Sequence, residues 1–327
     1  MTTAIVIDSA CDLPHEQLEQ PHIELASATI RINGLRFPDK RQPERMQKIY
    51  RDGRLELPAL ASTEPPSVEQ FRKIFQQLAE QETEEIYVVS IMRNRSPTLS
   101  NAEEAASQLN NELRTPSNKL VHIYPCDSGS MFAGHGLVVM HLQKMLELED
   151  KDHSLSMNQR GRAYIDQTAI NARMDFFRRR TENYLVLREP IYMRKRARLK
   201  NDHSVTWHYE WLSRLRQRYP IIINHNGDTQ AINSQKGYRN AINEVIDICQ
   251  EAIRNDEIYN SMIAISVADD VAWLRQLEAY VRFKEACQAY GIRLLESVMS
   301  LSGGVYLGPG AVSMAFTRKS ANRRLTE

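Results

Sequence analysis

The sequence predicts an α/β protein, with an N-terminal doubly wound parallel-sheet domain followed by a C-terminal α+β domain. Three observations carry this. Three short apolar runs end in small hydroxyl residues that open a helix: Ala4–Ile7 into Asp8-Ser9, Ile86–Ile91 into Ser96-Pro97-Thr98, and Val121–Tyr124 into Asp127-Ser128. Amphipathic helices separate the runs, the alternation that calls for parallel strands with crossover helices. After the acidic stretch Glu147–His153 the pattern changes to long charged helices and short β-like runs. At 327 residues the chain is long enough for two cores, and the expected domains are residues 1–155 and 156–327.

Residues 4–7 read as a short buried strand. Ser67 and Gln70 stand in capping-box positions just after Pro66, and Val68, Phe71, Ile74, Phe75 and Leu78 recur at helical spacing. A strand over 86–91 leads to a helix through Ala102, Ala105, Ala106 and Leu109. A strand over 121–124 leads, after Gly134 and Gly136, to a helix with Val138, Val139, Leu142 and Leu146. Gly134-His135-Gly136 lacks the third glycine of a dinucleotide fingerprint, so tight turning is the simpler explanation. Further on, helices are expected around 158–180 and 237–254, and β-like runs at 184–187, 220–223 and 262–267. Asn226-Gly227-Asp228 marks a hairpin turn. Ser302–Gly310 holds too much glycine for a regular element and is expected to be a loop, and the polar residues from Arg318 are expected to fray.

Composition removes several function classes. Apolar content of 42%, 25% charged residues and a net charge of +1 fit a soluble globular protein with no global attraction to nucleic acid or a membrane surface. No apolar stretch approaches the roughly 20 residues that span a bilayer, so integral membrane association is not expected. Cys11, Cys126, Cys249 and Cys287 form no CxxC pair and no signal peptide precedes the first strand, which reads as reduced thiols in a cytoplasmic protein. The nine histidines are scattered, and the close pair His203 and His208 matches no zinc spacing. Neither a metal nor a cofactor is expected.

In a parallel sheet, strand-to-helix turns gather at the carboxyl edge, where hydroxyls and unpaired helix-start N–H groups bind anions. Ser96-Pro97-Thr98 is the best local case, with serine as the N-cap and proline at the first helical position. Ser96 either satisfies only its own helix or, with a helix dipole worth roughly 1 kcal/mol toward an anion, receives a carboxylate or phosphate. Asp8-Ser9 and Asp127-Ser128 are cap or turn formers; beside a ligand they would orient its partners, because an acidic side chain repels an anion. No nucleophile–base pair accompanies these turns, since Asp8, Asp127 and Tyr306 do not supply both. The pattern points to an anion anchor rather than a catalytic site. Residues 173–218 carry 13 Lys/Arg against 5 Asp/Glu, with Arg194, Lys195, Arg196 and Arg198 at the centre. This segment reads as a solvated face or as a docking surface for an acidic protein partner. It has no interleaved aromatics of the kind nucleic acid needs, although Trp207, Tyr209 and Trp211 nearby fit a packed strand face or a partner surface.

Several ordered motifs resemble the DegV family, the fold shared by the fatty-acid-binding FakB proteins. Asp8-Ser9-Ala10-Cys11-Asp12-Leu13-Pro14 matches the family's DSxxDLP, and Thr63-Glu64-Pro65-Pro66-Ser67, followed by Phe71, occupies the place of TSQPS. Ser96-Pro97-Thr98 stands at the end of SSxLSGT, Asp127-Ser128 with Gly134 and Gly136 matches DSxxxSxGxG, and Leu307-Gly308-Pro309-Gly310 matches VGPG. The resemblance runs from the first strand to about Phe316. It implies a long-chain acyl ligand between two domains, with its carboxylate held by Thr63, Ser96, the adjoining Thr98 and Tyr306, the last at the family's histidine position. Asp8, Ser9, Met92, Arg93, Asp127, Ser128, Gly308 and Gly310 would line or support that pocket. FakB proteins have no turnover of their own and present the fatty acid to a separate fatty acid kinase, which phosphorylates the carboxylate.

This chain departs from the pattern at several places. Met92 and Arg93 replace the paired serines of SSxLSGT, Pro97 its glycine, and Phe132 the third serine of DSxxxS. Arg196-Ala197-Arg198 keeps only the arginine of the second domain's GGR. Arg93, if turned inward, would restore a positive charge. The expected function is non-catalytic binding of a long-chain fatty acid. The alternative is a diverged partner-binding or regulatory protein that docks through the basic segment.

Overall fold

The computed structural model describes residues 2–109, 112–156, 167–189, 191–192 and 218–320. The basic cluster Arg194, Lys195, Arg196 and Arg198, the aromatics Trp207, Tyr209 and Trp211, and the start of the helix expected from 158 lie outside the described residues.

A four-stranded, wholly parallel sheet in the order β2-β1-β6-β7 forms the first layer, from β1 (Thr2–Asp8), β2 (Ile23–Ala26), β6 (Thr83–Ser90) and β7 (His122–Asp127). Side chains alternate across a strand, so Ala4, Val6, Ile86 and Val88 face one way and Ile5, Ile7, Tyr87 and Val89 the other. The first set packs on α3 (Val68–Glu80) and α4 (Thr98–Gln108) through Phe71, Phe75, Leu78, Ala102 and Ala105. The second packs on α5 (Phe132–Ser156) through Leu137, Val138 and Leu142. Helices therefore cover both faces, as a doubly wound sheet requires. The capping box of α3 is complete: the Ser67 hydroxyl accepts from the Gln70 amide and the Gln70 side chain accepts from the Ser67 amide. The α1 helix (His15–Leu18) follows β1, and β3 (Thr29–Ile32), β4 (Leu35–Pro38) and β5 (Ala61–Glu64) form a small antiparallel sheet ordered β4-β3-β5, with α2 (Pro43–Arg51) between β4 and β5 in the chain. That sheet carries Thr63.

The C-terminal part is a six-stranded sheet ordered β10-β9-β8-β13-β11-β12, from β8 (Thr181–Val186), β9 (Arg218–His225), β10 (Asp228–Lys236), β11 (Ile258–Val267), β12 (Arg293–Val298) and β13 (Val312–Arg318). Its pairs are antiparallel except β11–β12. After α6 (Gln167–Arg178), helices α7 (Tyr238–Arg254) and α8 (Glu278–Ala289) pack on one face of this sheet, and α5 lies against Met262, Ala264 and Ala315 on the other. The β9–β10 hairpin turns on Asn226 at φ 50° and Gly227 at φ 78°, both in the left-handed region that a two-residue type I′ turn demands.

Two expectations fail here for one reason. Ser302–Gly310 is not simply a loop, because Leu301–Leu307 forms the helix α9. Gly134 and Gly136 do not precede their helix in a tight turn but lie inside α5. In each case glycine serves close approach: a Cβ on Gly304 would sit 2.4 Å from the Tyr50 hydroxyl, and one on Gly136 would sit 2.3 Å from the Asp12 carbonyl oxygen. The acidic stretch 147–153 is likewise helical, continuing α5 instead of ending it.

Candidate functional site

The loop after β6 is held from both neighbouring strands. The Asp8 carboxylate at the end of β1 accepts from the amides of Ala10 at 2.8 Å and Ile91 at 2.7 Å. The Asp127 carboxylate at the end of β7 accepts from Gly129 at 2.9 Å and Arg93 at 3.3 Å. Between them the Met92 amide donates to the Ser130 carbonyl at 2.9 Å, and the Arg95 amide closes a turn onto Met92 at 3.0 Å. Met92 is buried in an apolar cluster, with its sulfur accepting from Asn224 Nδ2.

This turn delivers Ser96 and Thr98 to a cavity of about 70 Å³ that Thr63 and Tyr306 also line. Pro97, not Ser96, takes the N-cap position of α4. Ser96 Oγ still accepts from the Thr98 amide at 3.3 Å and lies 2.7 Å from the Thr98 hydroxyl. Thr63 reaches the cavity because β5 pairs with β3, placing it opposite Ile30. Its hydroxyl meets the Tyr306 hydroxyl at 3.0 Å, although 243 positions separate them in the chain.

Tyr306 is held in place by a buried polar knot under α9. Ser300 caps the helix, its hydroxyl accepting from the Gly303 amide at 3.1 Å. The Ser300 amide donates to Asp12 at 2.9 Å, the Ser302 amide donates to Asp39 at 3.3 Å, and the Tyr50 hydroxyl donates to the Ser300 carbonyl at 2.9 Å. Arg41 is 3.3 Å from Asp12 and donates to the Val298 carbonyl at 3.1 Å. Burial raises both carboxyls above their ordinary range, and the adjacent guanidinium pulls them back toward ionisation. Ser9 belongs to the same knot, accepting from the Ala28 amide at 2.8 Å and donating to the Asp39 carbonyl at 2.9 Å.

Of the residues singled out in the sequence, Asp8, Thr63, Ser96, Thr98 and Tyr306 meet at this cavity. Ser128 is buried, and its hydroxyl bonds only within its own turn, donating to the Ser130 carbonyl. Gly308 and Gly310 end α9 with φ of 85° and 79°, packed on Tyr192 and Arg188. Arg93 turns the other way. Its guanidinium pairs with Glu103 at 2.9 Å, and with Asp127 it lines an outer cleft of about 470 Å³ beside Asp175 and Arg178. An inward Arg93 is therefore not what the structure has, because the loop's alternating anchors send its side chain toward α4.

Arg95 and Phe132 are among the cavity residues not read as site residues from the sequence. Arg95, half-buried, lines the cavity with its Nε shielded from solvent. Phe132, noted only as a replaced serine, closes the inner wall from a left-handed backbone at φ 52°. Arg95 was legible in principle, since it stands at the leucine of SSxLSGT. The knot of Asp12, Asp39, Arg41 and Tyr50 had no local mark. Among the described residues no group of three His, Cys, Asp or Glu is placed to hold a metal, and no helix is long and apolar enough to cross a membrane. The four cysteines are buried and unbridged.

A family model described as "Uncharacterised protein, DegV family" matches residues 2–319. A DegV domain-containing protein from Xanthomonas axonopodis pv. citri is 27% identical over 321 residues, covering 97% of each chain. Among solved structures, DegV from Bacillus subtilis, described as a fatty acid binding protein, gives a TM-score of 0.73 at 16% identity, covering 98% of this chain and 100% of its own. A stearic acid-binding protein from Eubacterium ventriosum gives 0.71 at 17% identity, covering 97% of this chain and 99% of its own. At these identities the structures share the fold. With the parallel sheet and the second sheet that the fold requires, and a match from residue 2 to residue 319, this chain belongs to the DegV family.

Proposed function

We propose that this protein binds a long-chain fatty acid without turning it over. The carboxylate sits in the cavity of Thr63, Ser96, Thr98 and Tyr306, and the tail lies along the apolar cluster that joins the two parts of the chain. The observation that carries the proposal is the 3.0 Å contact between the Thr63 and Tyr306 hydroxyls beside Ser96, hydroxyls from three separate elements on one small cavity. A hydroxyl donating to a carboxylate contributes about 1.5–3 kcal/mol, and each buried methylene about 0.8 kcal/mol. The tail thus supplies most of the affinity and the hydroxyls supply orientation. The adjoining cluster contains Met46, Met92, Met131 and Met299, side chains flexible enough to repack around an acyl chain.

The cavity also suits holding better than catalysis. Asp8 is committed to two backbone amides, and Glu64 to Arg31 at 2.6 Å and to Arg36, so neither carboxylate is placed to activate Ser96 or Thr63. In this reading the protein works in the cytoplasm and presents the carboxylate to a fatty acid kinase. Native mass spectrometry of the freshly purified protein, followed by organic extraction, is the test. A stoichiometric fatty acid is expected, with less of it retained by folded Ser96→Ala and Thr63→Ala variants. Unchanged lipid content in both variants would sink the head-group assignment.

A further inference from the structure

A hydroxyl has one proton to donate, and the four head-group hydroxyls face one another in pairs. Thr63 meets Tyr306 at 3.0 Å, and Ser96 meets Thr98 at 2.7 Å. Each pair uses one proton internally, so at most one proton per pair remains for a ligand. We propose that Ser302 is a further head-group residue, whose hydroxyl donates to the carboxylate of the bound fatty acid. The inference rests on the fatty-acid reading above and adds to it a ligand-binding residue on α9.

Three observations support the assignment. Ser302 lines the same cavity as Thr63, Ser96, Thr98 and Tyr306. It stands four residues before Tyr306 in α9, which puts the two on one helix face a single turn apart. Gly304, roughly 200° round the helix from Ser302, takes the opposite face, against Tyr50. The hydroxyl itself is unused. Ser302 is 8% exposed, and its Oγ is shielded from solvent with no hydrogen-bond partner among the described residues. Its amide, by contrast, donates to Asp39 at 3.3 Å and so fixes where the side chain starts. A buried hydroxyl without a partner is costly, and a carboxylate entering the cavity relieves that cost. Finally, the two acidic residues on the cavity wall are engaged elsewhere. Asp8 accepts from the Ala10 and Ile91 amides, and Glu64 is held by Arg31 and Arg36. The acceptor for the Ser302 proton is therefore the ligand.

The test uses the full-length, delipidated protein, wild type and Ser302→Ala, with palmitic acid as the probe. Titration calorimetry reads the affinity, and thermal melts without lipid read the stability. Removing a hydrogen bond to a charged group should weaken palmitate binding about tenfold to a hundredfold. The lipid-free variant should melt no lower than wild type, because alanine removes an unpaired buried hydroxyl and leaves the amide bond to Asp39 in place. A merely structural role would lower the lipid-free melt, so the two readouts separate the cases. Unchanged palmitate affinity in Ser302→Ala overturns the proposal. So does a lipid-free variant that melts lower than wild type or fails to fold, which would mean that the hydroxyl braces α9. Wild type that binds no palmitate overturns the fatty-acid reading itself, and the Ser302 assignment with it.

Discussion

Asp8-Ser9 and Asp127-Ser128 are the same dipeptide at the ends of two strands that flank β6, yet they serve opposite sides of its loop. Asp8 is 4% exposed, holds the amide of Ile91, and borders the small inner cavity. Asp127 is half-buried, holds the amide of Arg93, and borders the large outer cleft. The Ser9 hydroxyl ties β1 to the small antiparallel sheet through Ala28 and Asp39, whereas the Ser128 hydroxyl bonds only to Ser130 in its own turn. The two motifs differ because of what stands beyond each strand end. Past β1 lie β3 and α9, which seal the motif in. Past β7 lie α4 and α6, which leave a groove. Equal motifs on one sheet edge thus produce one enclosed cavity and one solvated charge cluster.

If enclosure is the difference, substitutions on the inner side should cost far more than those on the outer side. The largest effect is expected at the knot beneath α9. Asp12→Ala leaves Arg41 buried without its partner, and stability to urea should fall by about 3–5 kcal/mol, with loss of bound lipid as Tyr306 shifts. A fall under 1 kcal/mol would mean that the knot does not hold α9. The paired substitutions test the comparison directly. Asp8→Ala strands one buried and one half-buried amide and should cost about 2–4 kcal/mol, while Asp127→Ala, half-solvated, should cost about 1 kcal/mol. Equal losses in thermal melts would break the comparison. Smallest of all, Arg93→Ala removes an exposed ion pair whose arginine is 53% exposed. It should change stability by no more than about 0.5 kcal/mol and leave lipid content unaltered. A drop in lipid content would return Arg93 to the site.

Local patterns recovered much of the fold. The strand at Thr2–Asp8, the capping box at Ser67 and Gln70, and the hairpin at Asn226-Gly227 were legible because each depends on residues within a few positions. Ser96 and Thr98 were marked locally by a strand-to-helix turn, whereas Thr63 and Tyr306 were reached through the motifs of a resemblance. Helix α9 was missed because glycine is about 1 kcal/mol poorer than alanine in a helix, and that cost is outweighed only by the contact of Gly304 with Tyr50, far away in sequence. Positions 93 and 95 show the same limit. The sequence offers two arginines one residue apart, and nothing local tells which lines the inner cavity.

By itself the sequence determined the alternation of strands and helices, the hydroxyl-rich turns, and the absence of a nucleophile–base pair among them. Propensity, capping and apolar periodicity act over single turns and are written in adjacent residues. Only the tertiary structure decided that Thr63 and Tyr306 touch, that Arg95 rather than Arg93 faces the cavity, and that Asp12, Asp39 and Arg41 form one buried knot. Those outcomes depend on strand pairing, on the register of β5 against β3, and on amides donated across neighbouring strands. Such contacts join residues tens to hundreds of positions apart, and no local pattern encodes them.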